Sequence, residues 1–317
     1  MPRRNLSGVW QRLRDFFYRQ AHGPAAGAQK WSIGMLAGPS PLDLGQDHAG
    51  MTKPALTAQD VGDCRASSVR TPFMLQVAGR WHMLFEVLNC DSEKGEIGWA
   101  TSDDAKHWTY RQIVLAKPYP LSSPFLFEWN GGYYMLPQST EAGMLRLYKA
   151  FEFPVRWALA GILLRGRFSA PSLVHHEGRW WLFTLSDAED RGAALRLYWA
   201  DELLGPWREH PQSPIGVTDR AVVRPAGRIV AHEGRLMRFA QACEPGHGPV
   251  VRAFSITELT TARYSETPCS PDPLFSSGGK GWNRSRLSHI DAHCIGDGQW
   301  VACVDGVEGL GGEVSAT

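Results

Sequence analysis

His289, Asp291 and His293 stand two residues apart with apolar Ile290 and Ala292 between them. That alternation is the period of a β-strand, so the three polar side chains share one strand face. A carboxylate between two imidazoles can hold and move protons, which makes Asp291 a candidate general acid/base. His289 and His293 are candidates for holding a substrate. The same geometry argues against one shared metal ion, because at ~3.4 Å per residue the two histidine Cα atoms stand roughly 13 Å apart. No metal is assigned.

These residues need a scaffold, and repetition along the chain supplies one. Gly79-Arg-Trp, Gly131-Gly-Tyr, Gly178-Arg-Trp, Gly234-Arg-Leu and Gly298-Gln-Trp align as five copies spaced 52, 47, 56 and 64 residues apart. Each interval has room for about four short strands and their turns, the size of one propeller blade. Pro72, Pro124 and Pro171 each lie seven residues before their glycine, and the glycine marks a hairpin turn between two apolar strands. The first four units also carry a later aromatic pair: Trp99 and Trp108, Tyr148 and Trp157, Tyr198 and Trp207, Phe254 and Tyr264. The fifth unit lacks such a pair. Trp31-Ser-Ile-Gly-Met reads as an outer strand without inner ones, so the expected fold is all-β, a five-bladed β-propeller whose ring is closed by the N-terminal strand.

In a propeller, polar residues at equivalent places of successive blades form a ring at the channel. Seven residues beyond each repeat glycine stand Glu86, Gln138, Leu185, Gln241 and Asp305. Four are polar, and each ends an apolar run, so each needs a hydrogen-bond partner or channel solvent. Structural bonds between blades would account for any one member; the set points to a ligand site. Glu86 and Asp305 become neighbours when the ring closes and are candidates for an acid/base pair. Trp81, Trp108, Trp180 and Trp207 are locked to the repeat and read as packing residues.

Composition narrows the partners. Thirteen Trp, 33 Gly and 21 Pro in 317 residues describe an aromatic-rich, turn-rich globular chain. Lys plus Arg, at 33, nearly cancels Asp plus Glu, at 32, so no global positive field exists to hold nucleic acid. The six cysteines form no C-x-x-C pair, no apolar run reaches a bilayer's width, and Met1-Pro-Arg-Arg-Asn-Leu lacks a secretory apolar core. These features read as a cytoplasmic protein with free thiols. No P-loop, dinucleotide fingerprint or nucleophile elbow occurs, and no cofactor is assigned. Residues 1–30 are separate in character: five Arg and Lys30 face only Asp15, with Val9, Trp10, Leu13, Phe16 and Phe17 at helical spacing. The expected organisation is a short basic amphipathic helix over 1–30, capping the domain or docking to a membrane surface or protein partner, followed by the propeller over 31–317.

Thr71-Pro-Phe-Met, Gly95-Glu-Ile-Gly-Trp-Ala-Thr-Ser, Tyr134-Met-Leu-Pro-Gln-Ser, Arg196-Leu-Tyr-Trp-Ala-Asp-Glu-Leu-Leu-Gly-Pro-Trp and Arg238-Phe-Ala-Gln-Ala-Cys resemble the N-terminal propeller domain of glucosamine inositolphosphorylceramide transferases. That domain is similar in turn to five-bladed glycoside hydrolases of the arabinosidase and xylosidase type. The resemblance implies acidic residues at four positions that hold Thr71, Gln138, Ala170 and Ala242 here. Glycoside hydrolysis needs two carboxyl groups flanking the bond, and these side chains cannot serve. The family-like residues that remain are Glu86, Gln241, His289, Asp291, His293 and Asp305.

The resulting expectation is a propeller that binds, and acts on, a glycosylated or polyhydroxylated small molecule at the channel mouth. Asp291, Glu86 and Asp305 are the candidate catalytic groups. His293, His289, Arg224, Gln138, Gln241, Thr71 and Arg70 are candidates for substrate binding. The alternatives are a non-catalytic recognition module for a partner enzyme and a natural-product biosynthetic enzyme reusing the channel.

Overall fold

The structure is a computed structural model that describes residues 30–45, 53–188, 192–215, 222–244, 248–275, 282 and 286–307. The expected amphipathic helix falls outside the described residues. Five antiparallel sheets form the blades of a propeller. Blade I comprises β2 (Ala66–Val77), β3 (Arg80–Asn89), β4 (Lys94–Ser102) and β5 (Thr109–Leu115). Blade II comprises β6 (Ser122–Trp129), β7 (Gly132–Gln138), β8 (Met144–Glu152) and β9 (Arg156–Arg165). Blade III comprises β10 (Phe168–His176), β11 (Arg179–Ala188), β12 (Gly192–Ala200) and β13 (Arg208–Glu209). In blade IV, β14 (Val222–Pro225) and β15 (Val230–His232) both pair with β16 (Arg235–Glu244), and β17 (Gly248–Leu259) and β18 (Tyr264–Pro268) follow.

Blade V contains β19 (Arg286–Gly296), β20 (Gln299–Val307) and β1 (Trp31–Gly38). β1 pairs with β20 from Trp31 opposite Val307 to Gly38 opposite Trp300, which closes the ring as the sequence requires. Leu56 bridges to Ile33 on the outer side of β1, so the closing strand has its own short cover.

The repeat glycines make one kind of turn. In all five inner hairpins the residue before the glycine and the glycine itself have positive φ, near 49° and between 70° and 82°. Two successive left-handed residues give the turn whose twist matches the flanking strands. The blades then bury apolar side chains against one another: Phe73, Phe125 and Leu126 lie in one such layer, and Trp81 and Trp180, read as packing residues, are both buried.

A second irregularity recurs where the blades meet the mouth. β2, β6 and β10 each slip register here, between Arg70 and Phe73, Ser122 and Phe125, and Ser169 and Ser172. Thr71, Ser123 and Ala170 occupy the slips with φ of 50°, 44° and 48°, each just before the proline of its unit. Left-handed backbone is costly for residues other than glycine, and such bulges re-aim the groups they carry.

Candidate binding site at the channel mouth

The ladder pairs each ring residue with one on the innermost strand. Arg70 stands opposite Glu86, Ser122 opposite Gln138, Ser169 opposite Leu185, Arg224 opposite Gln241, and His289 opposite Asp305. Three residues picked from sequence, Arg70, Arg224 and His289, thus occupy equivalent places in three blades. Ser122 was missed. Its signal was available, because the inner partner lies nine or ten residues before each repeat glycine.

The pairs of blades I, II and IV, with Asp305 of blade V, line a cavity of about 700 Å³, open solvent at its mouth included, and Thr71 stands in the same wall. Trp31, Thr140 and Glu141 complete the rim. A smaller chamber lies farther along the inner strands and is shared by all five blades: Phe73, Ser123, Ala170, Arg224 and His289 belong to it.

The wall is largely prebound. Arg70 grips Glu86 through two bonds, Nε to Oε2 at 2.8 Å and Nη2 to Oε1 at 2.7 Å. Although burial opposes its charge, Glu86 raises the Arg70 guanidinium above its ordinary range. Asp305 accepts from the Ser288 amide at 3.1 Å and hydroxyl at 2.9 Å through Oδ1, and from the Thr71 amide at 3.1 Å through Oδ2. The Ser123 amide donates to Thr71 Oγ1 at 3.1 Å, and the Ala170 amide to Gln138 Oε1 at 2.9 Å. Gln241 Nε2 donates to the Ser288 carbonyl. Each left-handed bulge therefore offers an amide that a side chain of the preceding blade satisfies, so the polar ring stitches blades together while facing the cavity. Arg224 Nη2 lies 3.4 Å from Gln138 Oε1, and burial, with Arg70 nearby, lowers Arg224 to about 10.

Asp291 and His293, expected from the sequence to contact a ligand, stand outside the lining of both cavities. Asp291 is fully buried and accepts from Arg228 Nε at 2.6 Å, the Met74 amide at 2.7 Å and His293 Nε2 at 2.9 Å. Burial pushes this carboxyl up, yet Arg228 and then His293 hold it well below the ordinary carboxylate range. Alternation did put the trio on one face, but a strand that runs down the channel carries each residue to a different depth. His289 reaches the inner chamber, Asp291 lies beneath it, and His293 packs edge-on against Trp81.

Arg228 is a second residue that sequence reasoning missed. It leaves the blade IV ladder between β14 and β15, where Gly227 bridges in parallel to Ile290. Its Nη2 donates to the Leu126 carbonyl at 2.7 Å, and its guanidinium lies 4.9 Å from the Phe125 ring centre and 6.0 Å from that of Phe73. With Asp291 it joins blades I, II, IV and V. Nothing in the repeat announces it, because blade IV has Gly227 where blades I to III have proline.

Fold and site together define a closed five-bladed propeller with a polar mouth. The chain belongs to the family described as "Glucosamine inositolphosphorylceramide transferase 1, N-terminal", whose model matches residues 25–307. It is 33% identical over 299 residues to glucosamine inositolphosphorylceramide transferase 1 of Oryza sativa subsp. japonica, covering 88% of this chain and 40% of that protein. The protein of the same name from Arabidopsis thaliana is 32% identical over 297 residues, covering 87% and 39%. The chain thus spans about two fifths of these relatives' length. Among solved structures, an exo-β-1,3-galactanase of Clostridium thermocellum superposes with a TM-score of 0.54 at 15% identity, covering 68% of this chain and 52% of that one. A family 117 glycoside hydrolase of Zobellia galactanivorans gives 0.52 at 14%, covering 75% and 84%. At such identities the likeness shows the fold.

Proposed function

We propose that the mouth is a recognition site for a polyhydroxylated, sugar-like molecule. One observation carries the reading: donors and acceptors from four blades are fixed around a single cavity by bonds among themselves, so they are oriented before a ligand arrives. Polyols are bound by such preset arrays, since every hydroxyl both donates and accepts. Arg70 and Arg224 supply donors, Glu86 and Glu141 acceptors, and Trp31 an aromatic edge at the rim. The relatives' names mention glucosamine and an inositol phosphoryl group, and the solved neighbours are glycoside hydrolases. Both support a carbohydrate ligand.

Recognition fits the site better than hydrolysis. Both oxygens of Glu86 are gripped by Arg70, and both oxygens of Asp305 accept from backbone or serine donors. A general acid must release a proton to the leaving group, and a base must be open to water. Catalysis by the Glu86 and Asp305 pair, the second reading, retains one favourable fact: the ring does bring them to one cavity.

Calorimetric titration with glucosamine and myo-inositol tests the reading. Binding that weakens ten-fold or more in Arg224→Gln, with the melting temperature nearly unchanged, is expected. Failure of both compounds to bind, or binding indifferent to Arg224→Gln and Arg70→Gln, would overturn it. Aryl xylosides and arabinosides should not turn over; hydrolysis lost in Glu86→Gln would restore the catalytic reading.

A further inference from the structure

His289 lines the inner chamber, where a ligand group inserted through the mouth would end. Its Nε2 lies 2.8 Å from the Pro72 carbonyl oxygen. A carbonyl only accepts, so Nε2 carries the proton. Burial lowers the affinity of this imidazole for a second proton; Asp305 on β20 and Asp291 on β19 oppose that effect, and Arg224 on β14 adds to it. From β2 the ring meets Phe73 edge-on at 4.6 Å. The neutral ring is left with one lone pair, on Nδ1. The carboxylates around it are engaged: Asp305 by Ser288 and Thr71, Asp291 by Arg228 and His293.

We propose that His289 Nδ1 is the acceptor that fixes one free hydroxyl of the ligand in the inner chamber, with the Arg224 guanidinium donating to that hydroxyl's oxygen. This assignment rests on the polyol reading of the mouth and sharpens it into a rule about the ligand. The group entering the chamber must give a proton to Nδ1 and receive one from Arg224, which a hydroxyl does. A phosphate or carboxylate oxygen is ionised at neutral pH and has no proton for Nδ1. An ether or carbonyl lacks one as well, and an ammonium group meets the Arg224 charge. The position bound deepest is therefore an unsubstituted hydroxyl, and any charged substituent of the ligand stays at the outer rim.

The test has one arm that needs no ligand. Nitrogen-15 spectra of the histidine-labelled full chain should show His289 as the Nε2–H tautomer at pH 7, with a protonation midpoint below the ordinary value near 6.5. An Nδ1–H tautomer, or a doubly protonated ring at pH 7, overturns the assignment. The second arm uses glucosamine and myo-inositol as probes with the His289→Gln and His289→Asn variants. Glutamine can keep the donor to Pro72 but places no acceptor at Nδ1, whereas asparagine can keep a polar atom near Nδ1. Binding should fall at least ten-fold in His289→Gln and less in His289→Asn, and in the unaltered protein it should be lost as pH falls through the His289 midpoint. Probe binding that depends on Arg224 but not on His289 overturns this assignment alone. Absence of binding by either probe overturns the polyol reading, and this assignment with it.

Discussion

Removing the Asp291 charge leaves the Arg228 guanidinium among Phe73, Phe125 and the Leu126 carbonyl without its counter-charge. Breaking a buried pair on one side is more harmful than exchanging the whole pair for apolar residues, because the survivor has lost water and gained nothing. Asp291→Asn should therefore lower unfolding stability by about 3–5 kcal/mol in chemical denaturation. A loss under about 1 kcal/mol would mean that the pair is solvated in solution. The pH dependence has a definite sign. Asp291 is held below its unfolded value, so its contribution is complete above an unfolded pKa of about 3.9 and is lost as pH falls from there through the lower folded value. The gap between the parent protein and Asp291→Asn should thus narrow below about pH 4. A gap that stays constant down to acid unfolding would assign the stabilisation to hydrogen-bond geometry instead of charge.

At the scale of the element, the repeat exposed the hairpins but not the places where strands depart from regularity. Gly79, Gly131, Gly178, Gly234 and Gly298 were readable because one turn recurs five times, and the ring seven residues beyond them follows from strand alternation. The bulges at Thr71, Ser123 and Ala170 were not, since a register slip leaves no periodic trace apart from the proline that follows it. The depth of Asp291 was hidden for a related reason: alternation reports which face a side chain takes, and depth along the channel depends on how five blades pack. Gly227 and Arg228 stayed hidden because they break the pattern. Two glycines offer a contrast that tests this. A Cβ on Gly227, at φ of 145°, would lie 1.7 Å from the Ile290 carbonyl oxygen, whereas Gly79 at φ of 82° has open space around it. Gly79→Ala should cost only the backbone strain of a left-handed alanine, roughly 1–2 kcal/mol. Gly227→Ala must push blade IV away from blade V and carry Arg228 off Asp291, so it should cost well over 3 kcal/mol or prevent folding. Equal melting temperatures for the two variants would show that the close approach of Gly227 to Ile290 is dispensable.

Over the whole molecule, ring closure by β1 does two jobs that are usually separate. It covers the edge of β20, and it positions the mouth, because Ile33 on β1 pairs with Asp305, the carboxylate that holds Thr71 and Ser288. Ile33 and Leu36 are buried, and Ile33 packs with Val69 and Met74 of blade I, so β1 is also the wedge between the last blade and the first. A chain that begins at Lys30 retains every one of these contacts and should melt cooperatively at nearly the same temperature as the full chain. Deleting residues 31–38 as well removes the strand, bares the β20 backbone and frees the segment that carries Asp305. An unpaired edge beside exposed apolar surface invites pairing between molecules, so this shorter chain should aggregate or lose its near-ultraviolet circular dichroism. Size-exclusion chromatography and thermal melts on the two truncations measure both effects. A monomeric, cooperatively melting chain without β1 would show that blade V holds its shape with β19 and β20 alone, and the mouth would then owe its geometry to the Asp305 hydrogen bonds and not to closure of the ring.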